Sequence, residues 1–142
     1  MDIASCDRSR RTAGFTLIEL MIAIAILAIL VGIALPSYQR YVLESGRADA
    51  KTQLYGASQT LERCFTRYQA YDDGNCPLQQ GDTALSENDK YELTVTTTTP
   101  TTFVLTAEPQ GPQTKDTDCA NFTLTHAGVK GISGSGTVEE CW

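Results

Sequence analysis

An apolar run near the amino terminus constrains this chain more than any other feature. Of the 21 positions from Phe15 to Leu35, only Thr16, Glu19 and Gly32 are not hydrophobic. As an α-helix rising about 1.5 Å per residue, the run would be roughly 30 Å long, which matches the hydrocarbon core of a bilayer. Three arginines precede it and predict that this side stays in the cytoplasm. We therefore expect one membrane crossing, with the carboxyl-terminal part outside.

Two export signals share parts of this pattern. A secretory signal peptide has an apolar core of only about 7 to 15 residues, which is shorter than this run and ordinarily lacks a carboxylate such as Glu19. The Arg10-Arg11 pair is typical of twin-arginine export, but its spacing to Phe15 fits that signal poorly. An anchor that stays attached is therefore the better interpretation.

Glu19 is the residue that a plain anchor does not explain. A carboxylate within an apolar helix costs about 2.5 to 3.5 kcal/mol on insertion scales, and less near the membrane interface. Glu19 either reaches back to that interface without a role, or it meets a cationic partner inside the apolar layer. The second interpretation predicts a functional contact.

The remainder of the chain is polar and poor in core residues. From Ser37 onward, Leu, Ile, Val and Phe total 17 of 106 residues, so cross-links should matter for stability. Four cysteines follow the apolar run and suggest disulfides in an oxidising compartment. They permit three pairings, of which we favour the local ones, Cys64 with Cys76 and Cys119 with Cys141. We expect no metal site, because neither a CxxC nor clustered histidine accompanies these cysteines.

Periodicity predicts a helix followed by a sheet. Pro36 and Gly32 should kink or loosen the helix, which then resumes to about Tyr68. The apolar stripe of this helix should pack on the sheet, and it includes Tyr38, Tyr41, Leu54, Tyr55 and Leu61. Residues 69–90 are rich in turn formers and predict a loop without the ordered spacing of a calcium site.

Alternating, β-branched segments predict the strands of that sheet, and a flexible tail follows them. The predicted strands cover residues 91–98, 102–107, 121–126 and a short segment around 129–132. A meander is the simplest arrangement. The expected fold class is α+β, with a long kinked amino-terminal helix packed on an antiparallel sheet of about four strands.

The amino terminus resembles that of a type IV prepilin. Gly14 is followed by Phe15, a Thr-Leu-Ile-Glu run ending at Glu19, the apolar helix and then Pro36 with nearby tyrosines. The resemblance implies that a prepilin peptidase cuts between Gly14 and Phe15 and methylates the Phe15 amine, leaving N-methylphenylalanine. It also offers Glu19 a partner, the Phe15 amine of a neighbouring subunit.

The resemblance divides the chain into three segments. It implies a leader at 1–14, a transmembrane assembly helix at 15–36 and a periplasmic head at 37–142 that includes the outer half of the long helix. The chain would be a single-pass protein of the bacterial inner membrane before assembly, and part of a cell-surface pilus afterwards.

The cysteine-bearing part resembles the small PilE-type minor pilins of the type IVa system, in which disulfides tie both ends of the head. The matching segments read ERC, a later Cys-Pro, CANFTLTHAGVKG and a terminal ECW. The partners implied are other pilins in a helical filament, the prepilin peptidase and methyltransferase, and the inner-membrane assembly platform.

Catalysis has little support in this sequence. His126 is the single histidine, no Gly-rich phosphate loop follows a strand, and we expect no catalytic residue, metal or cofactor. We expect a structural subunit, a minor pilin that acts in pilus assembly and hence in adhesion or twitching motility. The alternatives are a major pilin, a type II secretion pseudopilin and a DNA-binding pilin for natural transformation.

Charge argues against nucleic acid as a partner. From Tyr68 onward, three lysines face eleven carboxylates, a net charge of -8. Phosphate contacts need Lys or Arg, so long-range repulsion should dominate. A local lysine patch would escape this count.

Overall fold

A computed structural model describes residues 14–142, and the predicted leader up to residue 13 lies outside the described residues. The described chain begins its secondary structure with helix α1, Leu17–Tyr68. Thr16 caps its start, because the Thr16 hydroxyl accepts a hydrogen bond of 3.2 Å from the Glu19 backbone N–H. The Thr-x-x-Glu spacing is the usual sequence signal for such a start. The chain divides into two compact units after Tyr38.

Helix α1 runs without interruption through Pro36. Proline has no backbone N–H, so the carbonyl of Gly32, four residues earlier, receives no helical hydrogen bond from this position. The missing bond weakens the helix where the sequence predicted it to loosen. The kink itself stays a prediction.

The second unit contains a five-stranded antiparallel sheet. Its strands are β1 Thr83–Leu85, β2 Tyr91–Thr98, β3 Phe103–Pro109, β4 Phe122–Thr125 and β5 Lys130–Ile132. Strand order follows chain order, so the predicted meander is confirmed. A 3-10 turn at Gly111–Lys115 joins β3 to β4, and a short helix α2, Val138–Cys141, follows β5.

The sheet has one strand more than the four expected. The additional strand is β1, which lies inside the predicted loop and places Ala84 opposite Leu93 of β2. Its three residues are all exposed, so it has no alternation of buried and exposed positions for a sequence pattern to reveal. Pairing with β2, rather than local propensity, makes it a strand.

The carboxyl-terminal tail is ordered rather than flexible. The N–H of Gly136 donates to the Asp118 carbonyl at 2.8 Å, and the N–H of Gly134 donates to the Cys119 carbonyl at 3.1 Å. Thr137 and Glu140 then form a capping box that starts α2. The Gly- and Ser-rich composition of the tail predicted flexibility. That prediction was wrong because the partners that order the tail are distant in sequence.

The head core forms between one face of α1 and the inner face of the sheet. The helix contributes Ala50, Leu54, Ala57, Leu61 and Cys64, which recur at intervals of three and four residues. Strand residues alternate inward, as Tyr91, Leu93 and Val95 do on β2. The predicted stripe was partly wrong, since Leu54 and Leu61 are buried but Tyr38, Tyr41 and Tyr55 are exposed. Ala50 and Ala57 alternate with the two leucines on this face and let the helix approach the sheet closely.

Candidate assembly residues and a cationic patch on the head

The predicted processing and assembly residues lie at the start of α1. Gly14 and Phe15 precede the helix, and the Phe15 side chain is 86% exposed. Glu19 lies in the first turn, where the positive end of the helix dipole also favours a carboxylate. The structure thus brings Phe15 and Glu19 to one helix end, while cleavage, methylation and inter-subunit pairing remain predictions.

The apolar run presents a large hydrophobic surface. Every large hydrophobic side chain from Leu17 to Leu35 is exposed to about half of its area or more. Helix α1 is long and apolar enough to cross a membrane, by length and composition, and it is the one such helix in the described part of the chain. A surface of this size on a water-soluble monomer would promote association. Such a surface fits a membrane anchor or packing against other apolar helices.

Two disulfides tie the ends of the head. Cys64 of α1 bonds to Cys76 with a Cα–Cα distance of 5.6 Å, and Cys119 bonds to Cys141 of α2 at 5.7 Å. These are the two local pairings favoured by the sequence. Loops of this size each stabilise the fold by roughly 3 kcal/mol in the chain-entropy model. The second bond also holds α2 to the segment that precedes β4.

The 3-10 turn is locked onto α1 by buried polar contacts. The Arg47 guanidinium donates two hydrogen bonds to the Asp116 carboxylate, at 2.7 and 2.9 Å. This hydrogen-bonded carboxylate raises the pKa of Arg47. Gln113 is buried and donates through its side-chain nitrogen to the Leu43 carbonyl at 2.9 Å and to the Tyr91 hydroxyl at 3.2 Å.

The turn between β1 and β2 is held to α1 by Asp49. Its carboxylate accepts hydrogen bonds from the Ser86 hydroxyl at 2.6 Å and from the Asn88 side-chain amide at 2.8 Å. Burial raises the pKa of Asp49, but the hydrogen bonds from Ser86 and Asn88 outweigh burial, so the pKa lies below its usual value. An open pocket of about 520 Å³ adjoins this contact.

A cationic patch forms where β5 and the carboxyl terminus meet α1. We call it the lysine patch; it consists of Lys51, Tyr55, Lys130 and Trp142. The Lys130 ammonium lies 5.2 Å from the Trp142 ring centroid and 5.9 Å from that of Tyr55. The Lys51 ammonium donates to the Trp142 carbonyl at 3.1 Å. Two cations and two aromatic rings therefore share one site.

The lysine patch is locally cationic within an acidic head. Burial lowers the pKa of Lys51, and the charges of Arg47 and Lys130 lower it further. Lys51 also lines an open cleft of about 770 Å³, whose other charged lining residues are Arg40, Glu44, Arg47, Asp118 and Glu140.

The residues of the lysine patch come from two parts of the sequence that are far apart. Lys51 and Tyr55 come from α1, whereas Lys130 and Trp142 come from β5 and the end of the chain. Only the fold brings them together, and the negative net charge of the head gives no sign of a local cluster of lysines. Within residues 14–142, no three His, Cys, Asp or Glu side chains are arranged to hold a metal ion.

Two family models match this chain. The model described as "Prokaryotic N-terminal methylation motif" matches residues 9–35, and the model described as "Type IV minor pilin ComP, DNA uptake sequence receptor" matches residues 36–123. The first match covers the predicted processing site. The second covers more than half of the chain.

Curated relatives match mainly through the amino-terminal part. The chain is 40% identical over 63 residues to the type IV major pilin protein PilA of Myxococcus xanthus, covering 44% of this chain and 29% of that protein. It is 47% identical over 58 residues to a fimbrial protein of Moraxella nonliquefaciens, covering 37% of this chain and 38% of that protein. These alignments thus span less than half of either relative.

A solved structure shows the same fold. The non-core minor pilin PilV of Neisseria meningitidis aligns with a TM-score of 0.51 and 21% identity, covering 68% of this chain and 92% of that one. The predicted α+β pilin fold is therefore confirmed. Because one family model matches residues 36–123 and the methylation motif matches residues 9–35, the chain is a type IV pilin. It belongs to the family described as type IV minor pilin ComP, DNA uptake sequence receptor.

Proposed function

We propose that this chain is a minor subunit of a type IV pilus whose head binds DNA at the lysine patch. The observation that carries the proposal is the convergence of Lys51 and Lys130 on Trp142 beside the exposed ring of Tyr55. The family's description as a DNA uptake sequence receptor supports it. From the sequence alone, the negative net charge favoured a purely structural minor pilin over a DNA-binding pilin.

The acidic head does not prevent local contact with phosphate. Charges separated by more than about 8 Å are largely screened at physiological ionic strength. Lys51 and Lys130 can therefore engage the backbone once DNA is close, while Tyr55 adds an apolar face for sugar or base. Arg47 contributes little, because Asp116 already neutralises it. Two phosphate contacts predict a salt dependence with a slope of about -2, and modest affinity.

The second part of the proposal is that the chain assembles into a pilus through its apolar helix. Cleavage after Gly14 would expose the Phe15 amine, and the apolar helices would bundle with Glu19 of one subunit facing that amine in the next. The exposed apolar face of α1 supports this packing. The chain would cross the inner membrane once, with its head in the periplasm, and then enter a surface pilus through the assembly platform.

DNA binding is tested on the full chain in a neutral detergent. Fluorescence anisotropy measures the dissociation constant for a short duplex DNA over a range of salt concentrations. We expect Lys51→Ala with Lys130→Ala to weaken binding about tenfold at low salt and to reduce the salt slope by about 2. Lys115→Ala is the control, since Lys115 is an exposed lysine of the 3-10 turn outside the patch. Equal losses in the control and in the double variant would contradict the proposal.

A minor pilin without DNA binding is the second candidate. The net charge of -8 from Tyr68 onward favours it. It predicts that the full chain binds no duplex DNA even at low salt, where attraction to a cationic patch would be strongest.

A further inference from the structure

We propose that Trp142 is the positioning residue of the lysine patch, and that it holds the Lys51 and Lys130 ammonium groups side by side for one DNA backbone. This inference rests on the proposed DNA binding and deepens it. It assigns to the Trp142 ring the positioning of Lys130, next to the Lys51 ammonium that the Trp142 main-chain oxygen holds.

Trp142 is the residue on which both lysines converge. The Lys130 ammonium lies over its ring, and the Lys51 ammonium donates to its backbone carbonyl. Two ammonium groups repel each other, so their proximity requires a group that attracts both. The electron-rich ring face of Trp142 attracts Lys130, and the main-chain oxygen of the same residue attracts Lys51.

The Trp142 ring is itself held in place. Its indole N–H donates to the Gly131 carbonyl at 3.0 Å, and the ring packs edge-to-face on Tyr55 and Phe122 at centroid distances of 5.9 and 5.6 Å. The preceding residue, Cys141, is buried in its disulfide with Cys119. Strand β5 and the second disulfide therefore fix the ring before any ligand arrives.

A fixed ring lowers the cost of binding DNA. A lysine side chain loses rotamer freedom when it contacts a phosphate, and a chain that is already ordered loses less. Losing the ring would therefore weaken binding although both positive charges remain. A role in folding alone would instead leave the binding of the folded variant unchanged.

The test compares Trp142→Phe with Trp142→Leu in the full chain in detergent. Phenylalanine retains an aromatic face for Lys130, whereas leucine retains bulk without it. By NMR without DNA, we expect the Lys130 methylene protons next to the ammonium to shift upfield in the wild type, less in Trp142→Phe and not in Trp142→Leu. Lys115 serves as the internal reference. Because Trp142 is the single tryptophan of the chain, a cooperative thermal transition followed by far-UV circular dichroism selects the variants that fold.

Binding of the same duplex DNA completes the test. We expect Trp142→Leu to weaken binding about fivefold and Trp142→Phe to stay within about twofold of wild type, in line with the strength of a cation–π contact. If folded Trp142→Leu binds DNA as tightly as the wild type, or if the wild type shows no upfield shift, the positioning role of Trp142 is overturned. The proposed DNA binding would stand in either case. A wild type that binds no DNA but shows the shift would overturn the proposed function, and with it this role for Trp142.

Discussion

Gly46 determines whether the 3-10 turn can pack against α1. A methyl group at Gly46 would overlap the side-chain amide of Gln113, which is buried and hydrogen-bonded to Leu43 and Tyr91. The displaced amide loses its partners at a cost of about 1 to 3 kcal/mol, whereas alanine gains roughly 1 kcal/mol in helix propensity. We predict that Gly46→Ala lowers the free energy of unfolding by up to about 2 kcal/mol net.

Gly56 provides a matched control on the same helix. A methyl group there would meet open space. Gly56→Ala should therefore raise stability by about 0.5 to 1 kcal/mol. Thermal unfolding of both variants in the same detergent measures the contrast, and effects of the same sign would contradict the packing described for Gln113.

At the scale of elements, Asp49 joins α1 to the turn between β1 and β2. The ionisation of its carboxyl group should therefore affect the stability of the fold. Because the folded pKa of Asp49 lies below its unfolded value of about 3.9, the ionised carboxylate stabilises the fold above that pH. This contribution is lost as pH falls through the lower, folded pKa. We predict that Asp49→Asn unfolds at a lower temperature than wild type at pH 7, by a margin that shrinks strongly in acid.

Melting curves of both chains from neutral to acid pH measure that margin. Glu87→Gln is a suitable control, since Glu87 is an exposed carboxylate of the same turn. A difference between Asp49→Asn and wild type that is independent of pH would show that the carboxylate acts through shape rather than charge.

Elements with strong local patterns were predictable from the sequence. Strand β2 occupies its predicted residues and α1 ends at its predicted Tyr68, because alternation and helical spacing are local properties. Strand β1 was not predictable, because its order comes from pairing with β2. Helix α2 carries a local start signal in the capping box of Thr137 and Glu140, but the tail that leads to it is ordered by Asp118, which is distant in sequence. The apolar stripe was partly misplaced because spacings of three and four residues also describe a second helix face, which carries Tyr55.

At the scale of the whole molecule, the two candidate sites differ in what the sequence reveals. One continuous motif contains Gly14, Phe15 and Glu19, so these residues are predictable from the sequence. The lysine patch is assembled from α1, β5 and the chain end, and the negative net charge conceals it. Its discovery required the fold.

Incorporation into a filament depends on Glu19 in this account. We predict that Glu19→Val leaves cleavage after Gly14 intact but strongly reduces the amount of this chain in sheared pili, because the Phe15 amine of the neighbour loses its counter-charge. Glu44→Val is the control, since it makes the same change on α1 beyond the apolar run. Immunoblots of sheared pili and of whole cells measure the ratio, and normal incorporation of Glu19→Val would contradict the pairing.

The central claim is that the assembled chain captures DNA through the lysine patch, and co-sedimentation of labelled duplex DNA with sheared pili tests it most directly. Pili carrying the wild-type chain should sediment DNA in a salt-sensitive manner. Pili with equal amounts of Lys51→Ala, Lys130→Ala chain should sediment about tenfold less. Equal DNA capture by the two kinds of pili, or absence of the wild-type chain from the filaments, would contradict the account.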